Sequence, residues 1–83
     1  MAKKKYSFVV EKVYRTKVEG EFDLNEIRKN NKRIANWVDE EILMSMAEAY
    51  GVYDENNGAE YDLEETNFRS IYNIDDKEIV YED

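Results

Sequence analysis

The sequence predicts an α+β fold: a small antiparallel sheet, made of an N-terminal hairpin and C-terminal strands, packed against one long or kinked helix in the order ββαββ. Three observations predict it: period-two alternation over residues 6–22, helical recurrence of apolar residues over 24–50, and two β-branched and aromatic runs after residue 67. With 83 residues the expectation is a single domain spanning 1–83, with one core and little apolar surface to spare.

Tyr6, Phe8, Val10, Tyr14, Val18 and Phe22 share one parity, and Ser7, Glu11, Arg15, Lys17, Glu19 and Glu21 hold the other. This is the pattern of a half-buried strand, but the run is too long for one, so a turn or bulge is placed at residues 12–15. Tyr6 and Tyr14 are assigned to the core. Asp23 followed by Glu26 has capping-box spacing and starts a helix. Leu24, Ile27, Ile34, Trp37, Val38, Leu43, Met46, Ala47 and Tyr50 continue it to Gly51, a residue suited to a helix C-terminus. Asn30 and Asn31 are poor helix formers and mark a kink or division. Trp37 and Met44 to Met46 are expected in the core.

Asn56-Asn57-Gly58 is a turn signal inside a polar stretch, 54–60, that reads as a loop. Strands follow at 68–74 and 78–81, joined by Asp75-Asp76-Lys77. The alternative for this region is a short helix from Asp62, with Glu65 completing a second capping box.

The charged share is 39%, well above the usual quarter, so the surface is densely charged. The charge is also unevenly placed: up to residue 34 there are ten Lys/Arg against five Asp/Glu, and beyond it two against fifteen, within a net charge of -8. Such asymmetry points to an interaction surface. There is no cysteine and no histidine, which removes disulfides, thiolate sites, the usual neutral-pH base and the commonest zinc ligand. No signal peptide or membrane span is expected, and the default location is the cytoplasm.

Candidate sites follow from the acids. Asp54, Asn56, Glu60, Asp62 and Glu65 fall at positions one, three, seven, nine and twelve of a calcium loop, but the required glycine at position six is Ala59, so calcium is not expected. Asp75-Asp76-Lys77, with an acid such as Asp62, is the residue set of a metal-dependent nuclease, yet reads as a polar hairpin turn. Glu40-Glu41 and Glu64-Glu65 could act as an acid/base couple only if buried in a cleft, which so small a core is not expected to enclose, so they are expected to be solvated. No catalytic residue, metal or cofactor is therefore assigned. Arg28, Lys29, Lys32 and Arg33 form a basic group that Asp39 to Glu41 can answer within the chain. Tyr53 and Tyr61, set among acids, suit a protein-binding patch.

Residues 6–22 (YSFVVEKVYRTKVEGEF), then Asp23 and a helix, resemble small plasmid- and phage-borne proteins of ββαβ layout, among them those called DpnD/PcfM-like. The helix is longer here than in that family, and the resemblance implies no settled activity, so no residue role is carried over. A wider likeness, of size and charge alone, is to the small acidic proteins by which phages block host defence, such as anti-CRISPR and anti-restriction inhibitors. In such proteins carboxylates occupy a groove evolved for phosphates.

The expected function is thus a non-enzymatic protein-binding module, of the kind that inhibits a defence nuclease by mimicking nucleic acid. Its partner-binding residues are Asp39, Glu40, Glu41, Tyr53, Asp54, Glu55, Glu60, Tyr61, Asp62, Glu64 and Glu65, and its partner a basic protein surface such as that of a nucleic-acid enzyme. The alternative is a small regulator that touches nucleic acid through Lys3 to Lys5 and residues 28–33, against which the net negative charge works.

Overall fold

Alternation on β1 (Lys4–Glu11) and β2 (Arg15–Phe22) is continuous except at residues 12–14, where the chain reverses, and the two strands pair antiparallel from Lys4↔Phe22 to Glu11↔Arg15. The computed structural model describes residues 3–54, 56 and 58–83. After β2 come α1 (Leu24–Asn30), a single 3₁₀ turn (Lys32–Ile34) and α2 (Asp39–Tyr50). The chain then returns as β3 (Val52–Asp54), β4 (Glu60–Tyr61), β5 (Asn67–Asn73) and β6 (Glu78–Glu82). The six strands make one antiparallel sheet in the order β4-β3-β2-β1-β5-β6.

β1 lies at the centre, so its inward residues are flanked on both sides. Tyr6, Phe8 and Val10 are buried, with Val18 and Phe22 from β2, Val52 from β3 and Ile71 from β5, and α2 closes this face with Leu43 and Ala47. The Phe8 ring meets Phe22 edge-on at 6.2 Å and Phe68 at 6.0 Å, both favourable aromatic geometries. The opposite sheet face carries the alternate residues. In register across it stand Glu60, Tyr53, Glu19, Ser7, Tyr72 and Ile79. Of these only Ser7 is buried, between the side chains of the strands on either side.

The one long or kinked helix is corrected to two, divided at Asn30 and Asn31 where the sequence marks a kink or division. Asp23 caps α1 as its spacing predicts, accepting the Glu26 N–H at 3.1 Å. The end of α1 is set by Asn31, whose side-chain amide donates to the Ile27 carbonyl at 2.9 Å, the acceptor that residue 31's own N–H takes in a continuing helix. Arg28 then folds the connection back. Its guanidinium donates to the carbonyls of Ala35 (3.3 Å) and Trp37 (2.7 Å) and to Asp39 Oδ1 (2.7 Å), which fixes where α2 begins. Because the helical phase is broken, Trp37 sits in the connection and is 40% exposed, not core as expected. Tyr14 is likewise exposed: it has the right parity but lies in the β1–β2 turn.

Two strands, β3 and β4, replace the predicted 54–60 loop at its ends, so the sheet has six strands where four were expected. Residues 62–66 form a turn, with Asp62 Oδ1 accepting the Glu64 N–H (2.9 Å) and Thr66 bonded to the Leu63 carbonyl, which excludes the alternative helix from Asp62. The last two strands stand where the sequence places them. Asp75-Asp76-Lys77 turns between them as a hairpin, with Lys77 at φ 56°.

Gly20 is opposite Tyr6 on the inner face, and it is small for a reason. A Cβ there would lie 2.8 Å from the Phe22 ring and 3.2 Å from Val52, both buried against the core. Gly20→Ala is expected to cost about 1–3 kcal/mol by overpacking, measured as a fall in the urea midpoint with unchanged slope.

Candidate functional site

Helix α2 has twelve residues, so its ends are about 18 Å apart. The acids of the chain gather at both ends, and the two groups differ in how they are answered.

At the N-terminal end, a cleft of about 470 Å³ opens between the starts of α1 and α2 and the β5–β6 turn. Its floor is the sheet row of Tyr6 and Asn73, its rim carries Asp23, Asp39, Glu40, Asp76 and Glu78, and Lys4 and Arg28 enter from the sides. Most of these charges are engaged. Lys4 Nζ donates to Asp76 Oδ2 at 2.6 Å, Arg28 holds Asp39, and Asp23 caps α1. Asn73, buried, donates to Asp76 Oδ2 (3.1 Å) and accepts the Asp76 N–H (2.9 Å), while Asp75 accepts the Lys5 N–H (2.8 Å). These bonds build the turn, so both aspartates of the suggested nuclease set have structural roles. The bond and charge of Asp76 raise the Lys4 pKa above its ordinary value. Burial, then the charge of Asp39, raises that of Tyr6, with Lys4 acting in the opposite sense.

At the C-terminal end, the returning chain lays β4 and the 62–66 turn beside the last turns of α2. Two adjoining shallow recesses, of about 380 and 400 Å³, are lined there by Glu48, Glu60, Asp62, Glu64 and Glu65, with Tyr61 and the buried Leu63 between them. No Lys or Arg lines either recess, and among the described residues none of these five carboxylates is ion-paired. The last turn of α2 has no basic residue, although a helix C-terminus carries partial negative charge and favours cations. Like charges are therefore placed together and against the helix end.

Of the residues singled out from sequence, Glu60, Tyr61, Asp62, Glu64 and Glu65 come together here. Asp39 and Glu40 lie at the far end of α2 in the cleft, and Glu41 is exposed in the first turn. Tyr53, exposed, and Asp54 line a third recess that also holds Lys3 and Lys5. Glu55 lies outside the described residues. Glu48, embedded in an apolar helical stretch, was missed, because only the return of the chain brings it to the other acids. Elsewhere acids and bases answer one another: Glu11 meets Arg15 (3.2 Å) and Arg69 (3.5 Å), and Arg69 meets Asp83 (3.0 Å).

Among the described residues no group of three or more Asp or Glu is disposed to hold a metal ion. The Asp54–Glu65 pattern spans a β-hairpin and a turn, not the helix-flanked loop of a calcium site. Among the described residues no helix is long and apolar enough to cross a membrane. Comparison with protein-family models, with curated proteins and with solved structures found no match.

The raised Tyr6 pKa carries a sign for stability. Above about pH 10 the unfolded chain loses the phenolic proton that the folded one retains, so stability falls as pH rises through that range. Lys4 acts in the same direction. Urea midpoints followed from neutral to alkaline pH are expected to fall less steeply in Tyr6→Phe than in the wild type.

Proposed function

We propose that this chain is a non-catalytic binding module whose acidic recess, at the C-terminal end of α2, seats on a basic protein surface. One observation carries the reading: Glu48, Glu60, Asp62, Glu64 and Glu65 converge on a helix C-terminus with no cation among the lining residues. Within the fold this arrangement is repulsive, whereas Arg and Lys of a partner turn it into attraction, speed encounter and fix register. Tyr61, half-buried beside the acids, and Tyr50, exposed at the recess edge, supply aromatic contact area.

Basic grooves that hold nucleic-acid phosphates are the surfaces such a patch fits. Occupying one excludes the nucleic acid, which makes inhibition of a nucleic-acid enzyme, including a defence nuclease, the activity we propose. Direct nucleic-acid contact through the basic segments has less support, since Lys4 and Arg28 are held in ion pairs with Asp76 and Asp39.

The immobilised protein, exposed at low salt to a lysate of its native host, is expected to retain a basic nucleic-acid-binding protein. The purified partner is then titrated against the wild type and against Glu48→Lys/Glu64→Lys/Glu65→Lys. The variant is expected to bind at least about tenfold more weakly, and wild-type binding to fall steeply with salt. Equal binding by the variant, or a salt-independent affinity, contradicts the proposal.

A further inference from the structure

The cleft at the N-terminal end of α2 holds a polar group the fold does not use. Tyr6 is 3% exposed, yet its hydroxyl lines the cleft and makes no hydrogen bond to any described residue. Around it the charge is negative on balance, with five carboxylates against Lys4 and Arg28. Both cations are already consumed by Asp76 and Asp39, and Asp23 is occupied as a helix cap. That leaves Glu40, on α2, and Glu78, on β6, without an ion pair among the described residues. An apolar side chain on the cleft wall is left in solvent: Val38 is 56% exposed. An anion finds no free cation here. A purely apolar ligand would leave the phenol and Glu40 unanswered, and Glu78 attracted only by Lys4, which Asp76 already holds.

We propose that this cleft binds an alkylguanidinium or alkylammonium group, whose head donates to the Tyr6 hydroxyl between Glu40 and Glu78 while its stem lies against Val38. The cleft's volume of about 470 Å³ accommodates such a group. The phenol oxygen has lone pairs that accept an N–H donor. The same chemistry comes from a free amine or from an Arg or Lys side chain of a bound protein. The site is separate from the acidic recess and does not rest on the function proposed for it.

Backbone amide and tyrosine-ring NMR signals of the intact chain are followed during titration with agmatine, with capped arginine (acetyl-arginine methylamide) and, as a neutral control, with capped citrulline. Saturable shifts of Tyr6, Glu40, Asn73 and Glu78 with a cationic probe, and none with citrulline, are expected. Tyr6→Phe is expected to weaken binding about tenfold, and Glu40→Gln/Glu78→Gln to abolish it, each variant first shown to be folded by its amide spectrum. Agmatine binding at least as tightly as capped arginine supports a free amine as the natural ligand; preference for capped arginine supports a protein side chain. Absence of saturable shifts with both cations overturns the proposal, as does an affinity unchanged in folded Tyr6→Phe. Inorganic phosphate shifting these signals when the cations do not also overturns it.

Discussion

The structure depends on the seating of Phe8 in the central strand. β1 joins the N-terminal hairpin to the C-terminal one by pairing with both β2 and β5, and Phe8, fully buried, touches a phenylalanine from each side, Phe22 and Phe68. A slip of one residue in β1 would turn Tyr6, Phe8 and Val10 to the other face together. With 83 residues and no cysteine there is no second core and no disulfide to hold the fold if that happens. Burial on one face also dictates where function can sit. The helices occupy that face, and the cleft and the acidic recess lie at the two ends of α2, where helix, strand and turn meet.

Those ends differ in how their acids are answered. At the first, Arg28 and Lys4 each neutralise a carboxylate, and the acids of the first turn of α2 complement the helix dipole. At the second, Glu48 and the acids of β4 and the following turn meet a helix terminus of their own sign, unrelieved by any cation among the lining residues. Solvent screening makes each such repulsion small. Its direction is nevertheless against folding, which sets the recess apart from the ion pairs at Glu11 and Arg69.

Much of this was legible in the sequence where the signal is local. Parity on β1 and β2, the Asp23 cap and the poor helix propensity around Asn31 each act within a few residues, and each stands in the fold where it was read. Tyr14 and Trp37 mislead for a shared reason: the periodicity runs on through a turn, and a pattern does not say where the chain leaves it. β3 and β4 were illegible because they have three and two residues and draw their pairing from β2 and from each other. Sequence also separates Glu48 from Asp62 and Glu64, which only the return of the chain brings together. Tyr6 was correctly placed inside, but alternation assigns a face and not an end, so its hydroxyl in the cleft was invisible.

On the function we propose, Glu48, Glu64 and Glu65 at the C-terminal end of α2 serve a partner and do not stabilise the fold. Thermal unfolding of Glu48→Gln/Glu64→Gln/Glu65→Gln beside the wild type, at low and at high salt, tests it most directly. A higher Tm is expected for the variant at low salt, with a difference that closes as salt rises. A variant less stable than the wild type at low salt would show instead that these carboxylates support the structure.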